Sequence, residues 1–143
     1  MGVDENVATI SRLEEAYEAL DWDTVREILA PDFQNGGPMG DQLPGAEAVI
    51  AGATQAATEY FPDKKQVVLD LFGEDDKVVS RVRLTGSNSG KGIDWAQIPP
   101  NGNQVDVEWI TIYRLDGGQV LQTWGQMDVA KMMMQLGAME GGN

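Results

Sequence analysis

The chain has 143 residues, of which 42% are apolar, and carries a formal charge of -13 with neither cysteine nor histidine. That length suits one domain with a real core, while the charge disfavours nucleic acid and anionic membranes as partners, since phosphate binding needs clustered Lys and Arg. The missing residues exclude disulfides, thiol nucleophiles, Cys- or His-ligated metal sites and a Ser-His-Asp triad, so chemistry must come from Asp, Glu, Tyr, Lys, Arg, hydroxyls or amides.

Asp4 to Leu20 reads as a helix, because Val7, Ile10, Leu13, Ala16, Tyr17 and Leu20 form one apolar stripe at helical spacing. Asp23 is the expected N-cap of a second short helix that Pro31 closes. Residues 33–43, rich in glycine and proline, predict a loop. A third, alanine-rich helix is expected over 46–60, with Val49, Ile50, Ala53, Ala57, Tyr60 and Phe61 facing inward. The pattern then changes to strands: 66–72, 77–85, 104–115 and 119–127. Val78, Val82 and Leu84 alternate there with Arg81 and Arg83. A long irregular segment, 86–102, separates the second strand from the third and reads as either a lid or a subunit contact, with Trp95 inside it. A last helix follows Asp128, and 137–143 reads as a frayed tail. Three helices followed by four long strands make an α+β domain, and a sheet curled around helices leaves a mouth suited to a small molecule. No apolar run reaches membrane-spanning length and no secretory signal opens the chain, so the expected location is cytoplasmic.

The stretch TWGQMD, Thr123 to Asp128, carries the first candidate site. Strand alternation puts Val120, Gln122, Trp124, Gln126 and Asp128 on one face, a mixture that suits a pocket wall better than a core or a solvent face. Asp128 reads as a general acid/base in that pocket or, equally, as a helix N-cap. Arg81 and Arg83 share a face and serve either as an oxyanion holder or as an outward basic stripe. Trp109 and Tyr113 share a face as core or ligand wall. Met132 and Met133 read as core with Met134 partly exposed, or the run as an adaptable pocket lining.

VVSRVRLTGSNSG (Val78 to Gly90), IPPNGNQVDVEWITIYRLDGGQV (Ile98 to Val120), the W-x-x-x-D of Trp124 and Asp128, the later QLG at 135–137 and the earlier LAPDF at 29–33 resemble the SnoaL-like polyketide cyclase family of the nuclear transport factor 2-like superfamily. The resemblance spans nearly the whole chain as one domain, 1–143. It implies a cone-shaped α+β barrel, a curved mixed sheet wrapped around three N-terminal helices, with a short C-terminal helix and assembly as a homodimer or higher homo-oligomer through the sheet. It implies an intramolecular aldol cyclisation, or a related rearrangement, of a hydrophobic polyketide-like molecule with no cofactor and no metal. Asp128 would be the catalytic acid/base, and Arg81, Asn88, Trp109, Trp124, Gln126 and Asn35 would bind substrate. Asn88 stands where relatives commonly carry histidine, as does the Gln34–Gly37 loop; an amide orients an oxygen but takes no proton near neutral pH. Two alternatives accompany this reading: epoxide hydrolysis of the limonene epoxide hydrolase type, which needs carboxylates around an arginine such as Arg81, and a non-catalytic small-molecule binding module.

Overall fold

The computed structural model describes residues 2–37 and 42–139. Helix α1, Val3–Ala19, buries Asn6, Ile10, Leu13 and Ala16, the inner side of the apolar stripe. It stops where Leu20 adopts a left-handed conformation at φ 56°. Helix α2, Trp22–Ile28, is capped by Asp21 rather than by Asp23: the Asp21 carboxylate accepts from the backbone N–H and the hydroxyl of Thr24. Asp23 sits in the first turn, where its charge still favours the positive helix end.

Residues 33–36 were expected in a loop and instead complete a strand. Strand β1, Leu29–Gly36, runs parallel to the last strand of the sheet, β6, Gln119–Met127, and antiparallel to a short β2, Gln42–Pro44. Pro31, with no N–H to give to a ladder, falls where the β1–β6 register shifts between Leu29 and Gln34. Residues 38–41 of the expected loop lie outside the described residues, as do 140–143 of the expected tail. Helix α3, Ala46–Gln55, continues into a wider π turn, Ala56–Tyr60. Strands β3, Lys65–Glu74, β4, Lys77–Ser87, and β5, Gln104–Asp116, complete an ordered sheet β2-β1-β6-β5-β4-β3. Helix α4, Val129–Leu136, closes the chain with Met132, Met133 and Leu136 buried. The expected cone is therefore a mixed six-strand sheet among the described residues, antiparallel except between β1 and β6.

Two apolar clusters fill the fold. One joins α1 and α2 to the inner face of the sheet through Ile10, Leu13, Val25, Ile28, Phe33, Val78 and Val120. The other packs α4 against β4, β5 and the 86–102 segment through Leu84, Val105, Val107, Met132, Met133 and Leu136. That segment buries Ile93 and Ile98 in the second cluster. Asp94 pins it to the α3 side, accepting from the Tyr60 hydroxyl at 2.6 Å and the Gln55 amide at 3.1 Å. Trp95 stays exposed.

The phase of β6 differs from simple alternation, for a local reason. Leu115 pairs with Val120 while Arg114 pairs with Gln122, so Leu121 is an extra residue, a β-bulge. A bulge reverses which face the following residues occupy. Val120 points into the core, whereas Thr123 and Gly125 point inward beyond the bulge and Trp124 and Gln126 point out.

Candidate functional site

A cavity of about 310 Å³ opens inside the cone, within the usual range of ligand sites. Its walls come from α1, β1, α3, β3, β4, β5 and β6. The space exists because the facing side chains are small. Ala48, Gly52, Ala53 and Ala56 line it from the helical side, spaced so that they share one face of α3 and its π extension. Gly125 lines it from β6: a Cβ there would come within 2.8 Å of the Trp109 indole nitrogen, so glycine lets the indole lie against the strand. Leu29, Phe33, Val49, Val82, Leu84 and Trp109 make the walls largely apolar.

The polar groups are few. Glu14 on α1 reaches the inner face of the sheet, where its Oε1 accepts from the Tyr113 hydroxyl at 2.6 Å and the Ser80 hydroxyl at 3.2 Å. Both donors are buried. Both bonds fall on one carboxyl oxygen, leaving Oε2 without a protein partner among the described residues. Burial raises the Glu14 pKa above its ordinary value; the two hydroxyls and the charge of Lys64 offset part of that rise. The Tyr113 phenol is pushed well above its usual value, chiefly by burial and then by the Glu14 charge, so it stays protonated and donates. Tyr17, also on the cavity wall, is raised by burial and by Glu14. Lys64 lines the cavity beside Gln66, whose side-chain oxygen accepts from its ammonium at 2.9 Å. Across the cavity Asn35 uses its amide oxygen to accept from Thr123 at 2.8 Å, which leaves the amide NH₂ to meet a ligand.

The SnoaL-like polyketide cyclase family matches residues 8–136. The chain belongs to that family. Among solved structures, a protein assigned as a SnoaL-like polyketide cyclase from Jannaschia sp. CCS1 is 30% identical, with a TM-score of 0.84 over 96% of this chain and 94% of that one. IdmH from Streptomyces antibioticus, assigned as a polyketide cyclase, is also 30% identical, with a TM-score of 0.74 over 92% of this chain and 98% of that one. An LEH-like epoxide hydrolase from M. tuberculosis shares the fold at 13% identity, with a TM-score of 0.71 over 94% of this chain and 90% of that one. No curated protein matches the chain.

In this SnoaL-like cone, of the seven residues that the resemblance implied for the site, Asn35 and Trp109 lie on the cavity wall and the other five do not; Tyr113, read as core or ligand wall, lines it too. Asp128 is exposed and caps α4, its carboxylate accepting from the Lys131 N–H at 2.9 Å. Trp124 and Gln126 are turned to the outer sheet face by the Leu121 bulge. Arg81 is also on the outer face, between Asp70 at 2.6 Å and Glu108. Asn88 is fully buried, but it ties loop to loop by donating to the Pro99 carbonyl and to Asn101. The sequence reading missed Glu14 because it occupies a helix position beside the apolar stripe, where a charged residue normally faces water. Its one legible signal is its place a single turn from Ile10 and directly after Leu13, at the border of the buried face.

Two outcomes follow. Asp128→Ala removes a cap and destabilises the fold by about 1 kcal/mol, read by denaturant titration, while ligand affinity of the cavity stays unchanged. Glu14 holds its proton more tightly folded than unfolded, so its contribution is full below the ordinary value of 4.5 and is lost as pH rises through the higher folded value. Glu14→Gln keeps an acceptor for Tyr113 and Ser80 but carries no charge. Its melting temperature should exceed the wild type's at pH 7, and the gap should close toward pH 4.

Proposed function

We propose that the protein is a cofactor-independent enzyme that moves a proton on an apolar, carbonyl-bearing small molecule of polyketide type, with Glu14 as acid/base. The observation that carries this reading is the Glu14 carboxyl itself, a group of raised pKa on the wall of an apolar cavity, with one oxygen held by two hydroxyls and the other free. A carboxyl with a raised pKa sits closer to the working range of a general acid/base. Held at Oε1, it presents Oε2 to the ligand in a defined direction. As base, Oε2 takes the proton alpha to a carbonyl; as acid, it returns that proton to the alkoxide formed when the new carbon–carbon bond closes the ring. Asn35 and Thr111 supply polar contacts on the wall, and Trp109 and Phe33 supply flat apolar surface for rings. Asp128, the carboxylate in the W-x-x-x-D position, is assigned to the α4 cap in this reading.

The geometry favours cyclisation over epoxide opening. An Asp–Arg–Glu cluster does exist, Asp70–Arg81–Glu108, but its members are substantially exposed on the outer sheet face. Among the described residues, Glu14 is the acidic residue of the cavity wall and no arginine lines it. A binding module without turnover would make Glu14 a mere structural link.

The test is turnover of polyketide-like triketone and anthraquinone-type precursors by wild type and Glu14→Gln. Loss of about 10²- to 10⁴-fold in kcat, with the variant folded and still binding, is the expected result. Equal rates would remove Glu14 from the chemistry.

The outer sheet face carries an exposed apolar band, Phe72, Ile110, Ile112 and Trp124, with Phe72 at 59% exposure. We assign the homo-oligomer contact to it. Trp124→Glu should convert the assembled species to monomer by light scattering; an unchanged mass would place the contact elsewhere.

A further inference from the structure

Among the described residues, Lys64 is the one cation on the cavity wall. Every other described wall residue except Glu14 is neutral. Lys64 takes part in none of the ion pairs found among the described residues; its ammonium is satisfied only by the Gln66 side-chain oxygen. The neighbouring Glu18 carboxylate is committed elsewhere, accepting from the Gln66 backbone N–H at 2.9 Å. Burial lowers the Lys64 pKa, an effect that Glu18 and Glu14 oppose without contact. A partly desolvated ammonium with no contacting counter-ion is costly to keep, and that cost is recovered when a ligand brings an anion to it.

The position is built. Lys64 follows a tight turn closed by its own N–H to the Phe61 carbonyl at 2.9 Å. Gly86 on β4 lets that turn approach: a Cβ there would stand 3.0 Å from the Phe61 Cβ and 3.5 Å from the Lys64 Cα. The Lys64 side chain lies on the cavity wall, its ammonium held on the Gln66 side-chain oxygen. The chain's charge of -13 repels anions at long range, so selection for an anion must come from short-range pairing inside the cavity, where a charge interaction is stronger than in water.

We propose that Lys64 is an anion anchor, and that the cavity takes ligands carrying one anionic oxygen, a carboxylate or an ionised enol, on an apolar ring-bearing skeleton. This rests on the reading of the cavity as the substrate site and does not require Glu14 to be catalytic. The anionic oxygen meets the Lys64 ammonium. The rings lie against Phe33, Val82 and Trp109, and the reacting carbon falls toward Glu14.

The experiment measures binding of two matched probe pairs, naphthoic acid with methyl naphthoate and hydroxynaphthoquinone with its methyl ether, to wild type, Lys64→Gln and Lys64→Arg. Circular dichroism verifies the fold of each variant. The wild type should bind at least one acidic probe about tenfold or more tighter than its neutral partner. Lys64→Gln should lose that preference while holding the neutral probe within about twofold, and Lys64→Arg should keep part of it because the charge remains. Preference in the first pair alone assigns a carboxylate, and in the second pair alone an enolate. Equal affinities of acid and neutral partner in the wild type, or a preference that survives in Lys64→Gln, overturn the anchor while leaving the cavity as the ligand site. Binding of none of the four probes overturns both.

Discussion

The pair of hydroxyl contacts to the Glu14 carboxyl is the constraint on which the rest of the site depends. Tyr113 and Ser80 come from adjacent strands, and Glu14 comes from the helix that packs across them. Taking a carboxyl out of water is unfavourable, which is why its pKa rises. Hydrogen bonds to a charged group recover roughly 1.5–3 kcal/mol each. The balance leaves a group that is held firmly yet titrates away from the ordinary carboxylate range. The same contacts fix the rotation of α1 about its axis. Ile10 and Leu13 then fill the core, while Glu14 and Tyr17 edge the cavity.

The cavity itself is made by absent side chains as much as by present ones. α3 contributes a row of alanine and glycine to the space, where leucines would have filled it. Gly125 performs the same service on the sheet side by leaving room for the Trp109 indole. Large residues at these positions would close the hollow and turn the cone into an ordinary core. The outer face follows a different rule. Arg81 and Arg83 pair with Asp70, Glu108 and Asp106 across three strands. Those exposed pairs add little stability, but they keep the charged cluster out of the cavity and leave the apolar band beside it bare.

Much of the fold was legible because it rests on periodicity. The 3.6-residue stripe of Val7, Ile10, Leu13 and Tyr17 and the two-residue alternation of Val78, Val82 and Leu84 are properties of the chain alone. The order of the helices and of the four long strands and the α+β class follow from them, while the family resemblance rests on particular motifs such as the W-x-x-x-D of Trp124 and Asp128. Asn35 and Trp109 lie on the cavity wall. β1 was hidden because Pro31 and the glycines after it speak for a loop, while its pairing with β6 joins segments some 90 residues apart, a contact that no local pattern records.

The site was less legible, and the reasons are specific. Leu121 is one extra residue in β6, and that single insertion reverses the face of Trp124 and Gln126; only the pairing with β5 reveals it. Asp128 offered two roles of equal standing in sequence, and the geometry of the chain leaving the sheet set it on the Lys131 N–H. Glu14 and Tyr113 stand 99 positions apart and meet only when the sheet curls over α1. By itself the sequence determined the helices, the four long strands, the buried faces of α1 and β4 and the exclusion of thiol and imidazole chemistry, because these depend on residue type and local spacing. The tertiary structure decided which carboxyl lies in the cavity and which faces water, because desolvation and hydrogen bonding are set by neighbours far away along the chain.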